Sequence, residues 1–190
     1  MSEDLSHLGG TAIEGDPMTF VPDVWEYLIK KFDLHSMIDI GCGVGKNARW
    51  FLEHGLSIYG VEGFPDYIRH TVLPLGRVFA HDYTKGPLTL AEIVDLGWSS
   101  EFVEHVEEQY VPNFMATFKC CRYVCMTHAT PGQGGYHHVN EQPGDYWITR
   151  MQDAGFRHLE EDSAWMQSTG PNTHYGRRTL MLFQNIALPR

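Results

Sequence analysis

The chain has 190 residues, 43% hydrophobic and 20% charged, with 14 basic residues against 24 acidic for a formal net charge of −10. That length suits one domain with a single core, and the composition is neither disordered nor membranous. The acidic balance argues against the basic face that nucleic acid requires, and no run approaches the roughly 18–20 apolar residues of a bilayer span.

The opening "MSEDLSHLGG" lacks the basic and apolar regions of a signal peptide. Cys42, Cys120, Cys121 and Cys125 show no disulfide-framework spacing, so a cytoplasmic setting is expected. Residues 1–21, with Gly9, Gly10, Gly15 and Pro17, read as an N-terminal arm or lid on a domain spanning 1–190. Pro22 suits the first turn of a helix, and Val24, Trp25, Leu28, Ile29 and Phe32 then form a stripe at helical spacing.

Strands are predicted at 37–40, 56–61, 77–80, 91–96, 122–126, 157–159 and 179–184. Helices at 46–54, 66–73 and 101–119 fall among the first five, and a further helix over 145–154 stops at Gly155. This alternation predicts a doubly wound α/β fold: a mostly parallel seven-stranded sheet with helices on both faces. No helix is read between the last two strands, so the terminal strand is expected to pair antiparallel.

The first strand runs into a glycine turn, "IDIGCGVG" over 38–45. Its glycines, Gly41, Gly43 and Gly45, give G-x-G-x-G, one residue short of the dinucleotide fingerprint G-x-G-x-x-G. Gly45-Lys46-Asn47 lacks the Lys-Ser/Thr of a triphosphate loop. Asp39 precedes the turn. Glu62 ends the next strand, where a carboxylate can accept from both hydroxyls of a ribose. Asp82 and Tyr83 follow the third strand, suited to an adenine amine and ring.

These acids and glycines resemble, in order and spacing, the class I S-adenosylmethionine-dependent methyltransferases, over nearly all of the chain beyond the arm. The resemblance implies S-adenosylmethionine as methyl donor and S-adenosylhomocysteine as product. It implies a cofactor set of Asp39, Gly41, Cys42, Gly43, Glu62, Gly63, Asp82, Tyr83, Trp98 and Ser99.

After the fourth strand stands Glu101-Phe102-Val103-Glu104-His105. If Glu101 opens a helix, positions 101, 104 and 105 share one face and converge as candidate ligands of a divalent cation such as Mg²⁺. The pattern is similar to the metal site of ubiquinone-pathway catechol O-methyltransferases and small-RNA terminal 2′-O-methyltransferases. In the RNA group a downstream histidine completes the site; His128, His137 and His138 are available here. The expected metal set is Glu101, Glu104, His105 and His138, and the expected catalytic histidines are His105, His137 and His138. The alternative for the same cluster is a packed helix start, with the glutamates complementing the helix dipole.

"GWSS" stands where base-amino methyltransferases carry N/D-P-P-Y/F, so base methylation is not expected. The expected acceptor is a hydroxyl of a small molecule or sugar, walled by some of Trp98, Tyr136, Tyr146, Trp147, Trp165 and Tyr175. Arg177 or Arg178 is a candidate for meeting an acceptor carboxylate. Alternatives are an RNA terminus, a protein side chain, or a non-catalytic cofactor-binding scaffold. No membrane partner is expected, and the sequence does not specify the oligomeric state.

Overall fold

Ser36–Ile40 (β1) lies inside a seven-stranded sheet of order β3-β2-β1-β4-β5-β7-β6. The computed structural model describes residues 5–8, 15–169 and 175–188. Ser57–Glu62 (β2), Val78–Ala80 (β3), Val94–Ser99 (β4) and Cys121–Met126 (β5) complete the parallel part. Phe156–His158 (β6) and Met181–Asn185 (β7) sit beyond β5, and β7 runs antiparallel to both β5 and β6.

The helices are Pro22–Phe32 (α1), Lys46–Glu53 (α2), Pro65–Arg69 (α3), Val111–Phe118 (α4), Gly144–Asp153 (α5), Glu160–Ser168 (α6) and Tyr175–Arg178 (α7). Alternation along β1 divides the core between the two sheet faces. Ile38 and Ile40 pack with Phe114, Phe118 and Trp147 on one face. Met37 packs with Trp25, Phe51, Ile58 and Trp98 on the other. The chain leaves β1 for β2 on one side and returns through β4 on the other. The carboxyl end of β1 is therefore the topological switch point, where such sheets open a crevice.

Three expectations need correction. The helix expected over 101–119 is broken: Val103–His105 and Glu108–Tyr110 are short 3-10 turns, and only Val111–Phe118 is α-helical. Pro112 explains the late start, because its ring and missing N–H fit only the first turn of a helix. Glu101 does not open a helix either. Its φ is +51°, and its N–H goes to Thr127 Oγ1 at 2.7 Å.

Two helices, α6 and α7, lie between the last two strands, contrary to expectation. α6, "EEDSAWMQS", buries Met166 as its one hydrophobic side chain and so shows no apolar stripe. Glu160, Glu161 and Asp162 in its first turn complement the helix dipole.

The fourth strand runs later than its expected span of 91–96, through Ser99. Gly97 explains this, since a Cβ there would lie 2.9 Å from Cys121 Sγ on the neighbouring strand. Residues 98–99 are consequently sheet interior.

Of the expected arm, residues 1–4 and 9–14 lie outside the described residues. The segment 15–20 folds against the glycine turn. Asp16 caps the 3-10 turn Pro17–Thr19 by accepting from Met18 N–H at 2.8 Å. No helix among the described residues is long and apolar enough to cross a membrane.

Candidate active site

Two cavities of about 510 and 530 Å³ open at the carboxyl ends of β1, β2 and β4, within the usual size of a ligand site. They share Gly41, Gly43, Tyr67 and Glu101 as common walls. The glycine turn makes this possible: Gly41, Gly43 and Gly45 have φ of +77°, +55° and +89°. A Cβ on Gly41 would strike Phe102 at 2.5 Å, and one on Gly45 would strike Leu73 at 2.5 Å.

The second cavity is bounded by Asp39, Cys42, Lys46, Asn47 and Ser100, with Asp16, Thr19 and Phe20 from the preceding segment. Asp39 is 3% exposed, and its Oδ2 has no hydrogen-bond partner. Burial, and then the nearby Glu62 charge, push its pKa up to about 7, against a backbone hydrogen bond from Ala48.

The first cavity is bounded by Glu62, Gly63, Asp82, Tyr83, Phe102, Val106 and Tyr110. Glu62 crosses from the end of β2 to the glycine turn, accepting from Gly43 N–H at 2.8 Å and Phe64 N–H at 2.7 Å. Asp82 Oδ1 accepts from Thr84 N–H at 2.8 Å, while Oδ2 lies 3.1 Å from His7 Nε2. Ser6, His7 and Leu8 thus form part of this wall. Tyr83 spends its hydroxyl on Thr117 Oγ1 at 2.8 Å, so only its ring is offered to the cavity.

Trp98 and Ser99, expected at the cofactor, line neither cavity. Both are fully buried, Trp98 against Trp25 on the α1 face, and the cavity wall begins one residue later at Ser100. Among the expected acceptor-pocket aromatics, Trp147 is core, Trp165 stacks on Tyr27 of α1, and Tyr146 bonds Glu108. Tyr136 is exposed and donates its hydroxyl to the carbonyl of Ser6, a residue of the first cavity wall. The Tyr175 side chain lies outside the described residues. Arg177 is buried against Asp23 of α1, away from any acceptor.

The broken helix start changes how the E-x-x-E-H residues meet. Glu104, His105 and His138 each offer a ligand atom within 4.8 Å of the others. Glu104 is fully buried, its oxygens receive no hydrogen bond from a donor group, and the Glu101 carboxyl stands close enough to share a proton with it. Burial, and then the Glu101 charge, raise the Glu104 pKa well above the usual carboxylate range. Glu101 belongs to the same cluster electrostatically, with its pKa raised mainly by burial, and its Oε1 accepts from Thr127 Oγ1 at 2.8 Å.

His105 has an unpartnered Nδ1, and burial, followed by the His138 and His137 charges, lowers its pKa to about 4. It is therefore a neutral imidazole at neutral pH. His137, at φ +52°, lines the first cavity. His128 is buried elsewhere, with its backbone N–H on Thr179 Oγ1 and its Nδ1 on the Ala129 carbonyl, and does not join the cluster. Sequence reasoning missed the walls formed by Tyr67, Phe102, Tyr110 and Ser100, which have no distinctive motif.

Residues 38–124 match the family described as a methyltransferase domain. That stretch is a methyltransferase domain. No curated protein sequence matches the chain. Among solved structures it is similar to the magnesium protoporphyrin IX methyltransferase of Synechocystis with bound cofactor. That pair has 18% identity, covers 87% of this chain and 77% of that one, and has a TM-score of 0.60. The sugar N-methyltransferase KedS8 of Streptoalloteichus is 14% identical over 94% of this chain and 98% of that one, with a TM-score of 0.64. The small RNA methyltransferase HEN1 is 14% identical over 86% of this chain and 25% of that one, with a TM-score of 0.60. At such identities the shared property is the fold.

Proposed function

We propose that this methyltransferase transfers the methyl group of S-adenosylmethionine to a hydroxyl of a small molecule or sugar, with a divalent cation at Glu101, Glu104, His105 and His138. The observation that carries the reading is Glu104: a fully buried carboxyl that receives no hydrogen bond from a donor group, beside two imidazoles and the Glu101 carboxyl, with which it can share a proton when no cation is bound. Leaving such a group unsatisfied costs about 1–3 kcal/mol or more, so a bound ligand is the natural compensation. Two carboxylates and two imidazoles suit Mn²⁺, Fe²⁺ or Zn²⁺, and Mg²⁺ less well. Such a cation, when bound, lowers the pKa of an acceptor hydroxyl and fixes its oxygen.

In this reading the second cavity takes the methionine end of the cofactor, beside Asp39, Lys46 and Asn47. The first takes the adenosine: Glu62 accepts from the ribose hydroxyls, Asp82 from the adenine amine, and Tyr83 and Phe102 flank the ring. The acceptor enters beside Glu101, where the two cavities meet. The donor carries its own leaving group, so the chain's task is alignment of acceptor oxygen, methyl and sulfur, plus removal of one proton. His137, on the cavity wall and outside the ligand cluster, takes that proton. His105, neutral and with a low pKa, suits a ligand better than a base near pH 7.

The wall chemistry disfavours an anionic acceptor. Asp16, Asp39, Glu62, Asp82, Glu101 and Glu107 line the cavities against one cation, Lys46, among the described residues. A second reading, a ribose hydroxyl at an RNA terminus, draws support from the likeness to HEN1, and the same acidic walls weigh against it.

The test is transfer of labelled methyl to catechols, sugars and a short RNA, each with EDTA and then with Mn²⁺ restored. Turnover of a small hydroxyl that EDTA stops and Mn²⁺ restores is expected. Transfer to RNA alone would replace the first reading by the second. Full turnover in EDTA would leave the cluster a structural or acid–base role.

A further inference from the structure

We infer that Glu141 is a positioning residue, which holds His138 in one tautomer and turns its Nε2 lone pair to the cation site; this rests on the metal reading above. Glu141 Oε1 lies 3.3 Å from His138 Nδ1. A carboxylate only accepts, so the shared proton belongs to Nδ1. A neutral imidazole has one N–H, and placing it on Nδ1 leaves Nε2 as the ligand atom.

The carboxylate is itself held. Gly132 N–H reaches its Oε2 at 2.7 Å, and Gly134 N–H reaches Oε1 at 2.6 Å. The ring is enclosed from the other direction too. Gly135 has φ +153°, and a Cβ there would fall 2.4 Å from Nε2, so only a glycine lets that end of the ring lie this close to the backbone. One residue on, the N–H groups of Val139 and Asn140 both bond the Glu104 carbonyl at 3.0 Å. His138 is thereby fixed between its carboxylate partner and the other two ligand candidates. Metal-bound histidines commonly donate their second N–H to a carboxylate, and losing that partner typically weakens metal binding 10–100-fold.

The test uses ¹⁵N-labelled full-length protein, free of metal, at mildly alkaline pH. Long-range ¹H–¹⁵N spectra of the imidazoles, assigned with His138→Gln, report the tautomer. Wild type should show His138 protonated at Nδ1, and Glu141→Ala should move the proton towards Nε2. Mn²⁺ titration followed by electron paramagnetic resonance should then show about 10–100-fold weaker binding to Glu141→Ala, with S-adenosylhomocysteine affinity unchanged as the check on folding.

An Nε2–H tautomer in wild type would overturn the inference on its own, even if the variant failed to fold. So would a Glu141→Ala protein with an unmoved tautomer or wild-type Mn²⁺ affinity. A wild type that shows the Nδ1–H form and binds no Mn²⁺ would instead overturn the metal reading while upholding the Glu141–His138 pair.

Discussion

The backbone carbonyl of Glu104 accepts the N–H of Asn140 at 3.0 Å, joining the segment after β4 to the loop after β5. Because this bond is made by backbone, it survives a change of the Glu104 side chain. Glu104→Gln should therefore keep the loop in place while removing a ligand. Its Mn²⁺ binding should be lost and its S-adenosylhomocysteine affinity retained, both measurable by calorimetry. Since the buried Glu104 carboxyl is raised in pKa, its ionisation opposes folding. The variant should melt a few degrees above wild type in EDTA near pH 8. With Mn²⁺ the order should reverse, as the cation stabilises only the protein that binds it. A variant that melts lower in EDTA would mean the carboxylate already has a partner.

Glu62 tests the cofactor assignment. It bridges the end of β2 and the glycine turn, so Glu62→Ala removes charged hydrogen bonds to the turn as well as the proposed ones to ribose. Affinity for S-adenosylhomocysteine should fall by about 1.5–3 kcal/mol, or one to two orders of magnitude. Near wild-type affinity would remove Glu62 from the ribose site.

Asp39 gives a pH dependence whose sign is fixed by its raised pKa. Its favourable contribution is complete below the unfolded value near 3.8 and is lost as pH rises through about 7. Asp39→Asn removes the buried charge and keeps an acceptor for Ala48 N–H. Without cofactor, the variant should be more stable than wild type by on the order of 2–4 kcal/mol at pH 8, and about equal to it near pH 4. The histidines titrate alike in both proteins, so they cancel in the difference. Urea unfolding at the two pH values measures it. A variant less stable at pH 8 would show that Asp39 is ionised and well paired.

The readable part of the site was the part built from backbone constraints. "IDIGCGVG" reads as a strand and a glycine turn, and Gly41 and Gly45 need to be glycine twice over: each has positive φ, and a Cβ at either would strike a neighbour. Glu62 and Asp82 were readable because strand ends place them. Residues 101–105 do not lie on one helix face, because Glu101 has φ +51° and Val103–His105 is a 3-10 turn; Glu104 and His105 meet His138 through the loops after β4 and β5 instead. Trp98 and Ser99, placed at the cofactor by the resemblance, line neither cavity, because Gly97 admits Cys121 and lets β4 continue through Ser99. Tyr67, Phe102 and Tyr110 line the cavity, yet in sequence they resemble ordinary core aromatics.

The last prediction concerns the pair that ties α7 to α1, Arg177 having been a candidate for an acceptor carboxylate. Arg177 makes two bonds to Asp23, Nη1 to Oδ2 at 2.9 Å and Nη2 to Oδ1 at 2.5 Å, and Nη1 also reaches Thr169 Oγ1 at 3.0 Å. The partners differ in environment: the Arg177 side chain is 7% exposed and that of Asp23 47%. Removing Arg177 leaves a carboxylate that water can solvate. Removing Asp23 leaves a buried guanidinium whose Nε already lacks a partner. Asp23→Ala should therefore cost more, about 3–5 kcal/mol as for a broken buried pair, against about 1–2 kcal/mol for Arg177→Ala. The Asp23 pKa is lowered, first by the Arg177 hydrogen bond, so this contribution is present above the unfolded value near 3.8 and lost as pH falls through the lower folded value. Chemical denaturation of both variants near neutral pH measures the asymmetry. Equal losses would mean that solvent reaches Arg177 as readily as Asp23, and the reverse order would place the dominant partner of Arg177 elsewhere.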